Sequence, residues 1–160
     1  MGIRYYAYPI NAADYERARQ NPCLFHGDDP LFDAWGKEED RPDMLYLDKC
    51  WQEFQYLFGV SESRPARPAF MLVQGEVEFT STGWIAFERA LSPAQVREVA
   101  ADLATITSET LRAEISDLMT LRPNETSEQE FDYVSPLLAD AKSFVSRLAE
   151  QGKGLVYLIG

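Results

Sequence analysis

A chain of 160 residues and 18.2 kDa has the length of one domain, expected here over 1–160, and folding at that size buries roughly 70% of the unfolded chain's surface without help from a metal or disulfide. Its net charge of −11, with a pI near 4.5, opposes phosphate backbones and anionic bilayers, which removes nucleic acid and membranes from the expected partners. An acidic surface steers a basic partner, and it also keeps a protein in solution.

In chain order, "IRYYAYP" is aromatic-rich and predicts a strand over residues 3–8, ended by Pro9. Asn11 can cap a helix running to Gln20, before Pro22. Residues 21–43 hold Gly27, Pro30, Gly36, Pro42 and seven acidic residues, and they predict a long loop anchored by Leu31, Phe32 and Trp35. In "MLYLDKCWQEFQYLFG" (44–59), Leu47, Cys50, Trp51, Phe54, Leu57 and Phe58 fall on one arc at 100° per residue. The spacing predicts a core helix over 47–59, with Asp48, Lys49, Gln52, Glu53, Gln55 and Tyr56 outside and Lys49 paired to Glu53.

Beyond the Pro-rich "SRPARP", the run "AFMLVQGE" predicts a short helix and "GWIAFERAL" a strand. "LSPAQV" combines Ser92, Pro93 and Gln95 into a capping box with proline at the first helical position. Thr107 or Ser108 caps the next helix, whose inner side is Leu111, Ile115 and Leu118. Phe131, Val134, Leu138, Ala141, Val145 and Leu148 form the seam of a long helix, which either kinks at Pro136 or starts afresh there. "LVYLI" (155–159) is unbroken apolar sequence, as in a central strand covered on both faces. The fold class expected is α/β (α+β): a small mixed sheet with N- and C-terminal strands close together, flanked by several helices.

The chemistry is sparse. Cys23 and His26 form a C-x-x-H, but a zinc site needs four ligands and Cys50 is the one other cysteine. Two cysteines without a framework suit a reducing, cytoplasmic setting. "MGIRYYAYPI" lacks the aliphatic run of a signal peptide, and no stretch has the ~20 apolar residues of a membrane span. There is no GxGxxG, P-loop, HExxH or GxSxG, so no catalytic residue, cofactor or metal is assigned. "LDKCW" remains. Its structural reading makes Trp51 core, Asp48 a hydrogen-bond acceptor near the helix start and Lys49 an outer pair with Glu53. Its functional reading makes Asp48, Lys49, Gln52 and Tyr56 a candidate binding face along a polar cleft beside the 47–59 helix, with Asp48 as base or Lys49 as anion anchor.

"LDKCW", Tyr56, Gly59, "LVQGE", "ALSPAQV" and "KGLVYLIG" occur in an order that resembles the YfbM-like family of bacterial domains of unknown function. The likeness runs through nearly the whole chain; the acidic stretch 27–43 departs from it. The resemblance implies a compact α/β domain and supplies no reaction. Some relatives look like immunity proteins of bacterial toxin systems, which implies inhibitor binding as one expectation. Two functions are therefore expected as alternatives: a non-enzymatic binding protein for a basic protein partner, or a small enzyme using the polar cleft beside the 47–59 helix.

Overall fold

Strand β1 (Tyr5–Ile10) lies antiparallel to β6 (Gly154–Ile159) along its full length, with Tyr5 opposite Ile159 and Ile10 opposite Gly154. This is the expected closeness of the two terminal strands. The computed structural model describes residues 2–122 and 124–160. On the other side of β1 runs β2 (Leu45–Asp48), and on the other side of β6 runs β5 (Phe87–Leu91), giving the order β2-β1-β6-β5. The fold is α+β as expected, but the sheet is antiparallel at every pairing rather than mixed.

Alternation along the two central strands divides the interior into two clusters. Tyr5 and Ala7 of β1, with Leu155, Tyr157 and Ile159 of β6, point into the larger one. There they meet α3 (Trp51–Phe58), α4 (Pro93–Leu103), α5 (Ser108–Met119) and α6 (Ser127–Glu150). Tyr6, Tyr8 and Ile10, with Val156 and Leu158, face a smaller cluster on the opposite side. Every residue of β6 is buried, as its unbroken apolar sequence predicts. Burying so much side-chain area, at about 25 cal/mol per Å², is the main favourable term for such a fold.

The segment 21–43 supplies the second layer, with α1 (Tyr15–Gln20) just before it. It is not a plain loop: Asp29 caps the short helix α2 (Pro30–Trp35) by accepting from the Phe32 N–H at 3.0 Å. Ala34 and Leu31 press onto the sheet, and the Tyr8 hydroxyl donates to Asp33 at 2.8 Å. Phe32 and Trp35, expected as anchors, instead stand 72% and 64% exposed. A six-residue helix can turn only one narrow side inward, and Leu31 and Ala34 take it.

Local signals hold where they are complete. Ser92 and Gln95 form both halves of the capping box at α4, and Thr107 caps α5. Thr126 and Gln129 form a second box at α6, which then continues through Pro136. Pro9 does not end β1, which runs on to Ile10. Pairing with β2 stops at Ala7 opposite Leu45, so Pro9 lies where β1 has a partner on the β6 side alone. The run 69–76, predicted as a short helix, begins in a 3-10 turn over Pro68–Leu72, and the following strand divides at Ala86 into β4 (Gly83–Ile85) and β5. β4 pairs with β3 (Glu78–Thr80) in a hairpin outside the main sheet. Among the described residues no helix is long and apolar enough to cross a membrane.

Candidate functional site

The predicted helix over 47–59 is a strand, a turn and a helix. Leu45 and Leu47 point inward from β2 while Tyr46 and Asp48 point outward. The chain then turns, with the Cys50 N–H donating to the Leu47 carbonyl at 2.9 Å, and α3 begins at Trp51. The six expected core residues are all buried, because a strand residue and a helix face can share the same inward direction. The Trp51 indole N–H donates to the Ile3 carbonyl at 3.2 Å, tying α3 to the start of β1.

Asp48 has φ +49°, the one non-glycine residue among those described with a left-handed backbone. Aspartate tolerates this region better than most side chains, but such positions are held only where their surroundings impose them. Here three donors do so. Arg4 Nε (3.2 Å) and the Tyr46 hydroxyl (3.0 Å) donate to Oδ1, and the Tyr133 hydroxyl of α6 (3.0 Å) donates to Oδ2. The Trp35 indole N–H donates to the Tyr46 oxygen at 3.1 Å, and the Arg4 guanidinium lies 5.3 Å from the Trp35 ring centre. Residues from three separate stretches of chain thus converge on one carboxylate, and Trp35 from a fourth braces one of them.

Desolvation pushes the Asp48 carboxyl up, but the Tyr46 and Tyr133 hydroxyls, the Lys49 N–H and the Arg4 charge outweigh it and hold it below its ordinary value. Tyr133 is shifted up, by desolvation first and then by its bond to Asp48, so it remains a phenol and a donor. Beside this cluster opens a wide-mouthed depression of about 440 Å³, lined by Trp35, Tyr46, Asp48, Asp132, Tyr133, Pro136 and Leu137.

The four sequence-predicted candidates separate. Asp48 borders this depression. Tyr56, 42% exposed, lines a different one of about 660 Å³ with Val60, Arg64, Glu114 and Leu121. Lys49 and Gln52 are exposed and line neither. Glu53, expected outside with Lys49, is 7% exposed and instead accepts from Arg122 at 2.7 Å. An arginine just beyond the end of α5 neutralises it, so burial of the charge is tolerated.

Sequence reasoning missed Arg4, Trp35, Tyr46, Asp132 and Tyr133. A strand reading of 45–48 would have placed Tyr46 beside Asp48, since alternate residues share a face. His26, the other candidate for chemistry, has its ring nitrogens 2.9 Å from the Gly27 carbonyl and 2.8 Å from Glu88. Cys50 is fully buried, and desolvation pushes its thiol well up, which makes it unreactive. Among the described residues no three His, Cys, Asp or Glu side chains are placed to hold a metal ion.

Chemically the Asp48 cluster is a fixed negative charge more than a proton acceptor. A general base works best with a pKa near the working pH, and this carboxyl is moved the other way.

A family model described as "Domain of unknown function (DUF1877)" matches residues 1–158. The fold is similar to that of YfbM from Escherichia coli, a protein of unknown function known from its crystal structure. That likeness has a TM-score of 0.56 and 20% identity, and covers 99% of each chain. No curated protein matches the sequence.

Proposed function

The chain belongs to the DUF1877 family of domains of unknown function, and from that premise we propose that it is a non-enzymatic binding protein for a basic protein partner. An inhibitor of the immunity type is the case in which that partner is a toxin. One observation carries this reading. The segment 27–43 displays Phe32 and Trp35 to solvent, one helical turn apart, amid exposed Asp28, Glu38, Glu39 and Asp40. Exposed aromatic anchors in an acidic surround are what an interface with a basic surface requires: the charge steers the encounter and the rings supply the contact energy.

The alternative is a small enzyme with its cleft at Asp48. The left-handed backbone of Asp48 beside a depression favours it; the depressed carboxyl, with donors on both oxygens, weighs against it.

Affinity capture from the source cell, at low and at moderate salt, tests the choice. The expected result is a basic protein retained at low salt, released as salt rises, and lost with the Phe32→Ala/Trp35→Ala double variant. Recovery of no basic protein, even at low salt, removes the reading.

A further inference from the structure

We propose that the depression between Trp35 and Tyr133 receives one cationic side chain, a guanidinium or an alkylammonium, presented by the basic partner; the identity of the partner rests on the reading above, the chemistry of the site does not. Three aromatic rings, those of Trp35, Tyr46 and Tyr133, wall the depression. Ring faces attract cations, more strongly as water is excluded.

Two carboxylates also line it, and they differ. Asp48 is already compensated by Arg4 at 3.2 Å. Asp132 is exposed, and among the described residues no cationic group lies within 4.0 Å of it. It is therefore the carboxylate left to answer an incoming charge. Pro136 has no N–H to donate to the Asp132 carbonyl one turn back, in a helix that continues past it. Both residues line the depression.

The molecule also contains its own precedent. Arg4, which does not line the depression, packs over the Trp35 ring at 5.3 Å while donating to Asp48, so a guanidinium is already held next to it between an aromatic ring and a carboxylate. An anion finds the reverse. The Tyr46 and Tyr133 hydroxyls are turned onto Asp48, and Arg4 donates to Asp48 and to the Gly2 carbonyl. The wide mouth decides between sources of the cation. Free small ligands are usually enclosed by clefts that bury most of their surface, whereas an open depression suits a side chain tethered to a partner that covers it.

Titration of the nitrogen-15-labelled protein with N-acetyl-Gly-Arg-Gly-amide, its lysine counterpart and its neutral citrulline counterpart tests this directly. The Trp35 indole N–H, which donates to Tyr46, is the reporter. The arginine and lysine peptides should shift it saturably, and the citrulline peptide should bind roughly 3- to 30-fold more weakly, the scale of a cation over aromatic faces. Asp132→Asn, on an exposed residue, should weaken the arginine peptide by a similar factor with an unchanged melting temperature. Equal binding of arginine and citrulline, or no saturable shift at Trp35, overturns the proposal. If a basic protein is captured but Asp132→Asn leaves its affinity unchanged, this inference falls and the binding reading stands. If none is captured while the arginine peptide still saturates the site, the site stands and the partner reading falls.

Discussion

Two carboxylate clusters flank α3, and they are built on opposite ratios. Around Asp48, three side-chain donors serve one carboxylate, and it is held below its ordinary value. Around Arg122, one guanidinium serves two: Glu53 at 2.7 Å and Glu130 at 3.9 Å, each 7% exposed. Glu130 Oε1 has no hydrogen-bond partner, and its carboxyl is pushed above its ordinary value, by desolvation first and then by the Glu53 and Glu125 charges. Burial and donor supply act together here: the carboxylate with three donors is half-open to solvent and stays charged, whereas Glu130 is both buried and short of donors. The well-supplied carboxylate is the one at the surface depression; the poorly supplied pair is internal.

The largest change should come from breaking the poorly supplied side. Arg122→Ala leaves two buried carboxylates with no counter-charge, and should lower stability by about 2–3 kcal/mol in urea unfolding. That is below the ~3–5 kcal/mol typical of fully buried pairs because Arg122 is itself 37% exposed. A loss under 0.5 kcal/mol would show that water already compensates Glu53 and Glu130.

Next, Asp48→Ala removes the common acceptor of Arg4, Tyr46 and Tyr133 and puts a Cβ at φ +49° without a compensating bond. It should lower stability by about 2 kcal/mol. Asp48→Asn, which tolerates the same backbone and keeps one acceptor oxygen, should lose about half as much.

The two clusters should also respond to pH with opposite signs. Glu130 titrates higher in the fold than its ordinary 4.5. Its stabilising contribution is therefore complete below that value and is lost as pH rises through the folded-state value. Asp48 titrates lower than its ordinary 3.8, so its contribution is present above that value and is lost as pH falls through the folded-state value. Glu130→Gln should flatten the first limb and leave the second; near neutral pH it should raise stability by about 1 kcal/mol. Melting curves across the acid range read both limbs. The smallest effect belongs to Lys49→Ala. Its partner Glu53 is turned inward to Arg122, so the change should stay within ~0.5 kcal/mol.

What could be read from sequence followed the range of the interaction. The buried arc from Leu47 to Phe58, the capping box at Ser92 and the two strands at the ends all rest on residues within a few positions of each other, and all are present. The start of α3 was misplaced because Leu47 satisfies both a period of two and a period of 3.6; four residues of strand cannot outweigh eight of helix in a periodicity argument. Glu53 has an outer residue's sequence signature because its partner, Arg122, lies 69 positions away. The depression was the least legible feature. Its walls come from α2, β2 and α6, and Tyr133 meets Asp48 across 85 positions. In α6 Tyr133 falls off the apolar seam, where nothing local marks it.

The placement of β6 bears on how the chain reaches this state. It is the last strand in chain order, yet it lies between β1 and β5. Helices α4, α5 and α6 adjoin one another in sequence and can associate early, whereas Tyr5 must find Ile159 across nearly the whole chain. Until β6 docks, β1 and β5 each hold an open edge toward an empty slot, the kind of edge that pairs with other chains. Topologically β6 is the piece that joins β5 to the β2-β1 pair and covers the edges both hold without it.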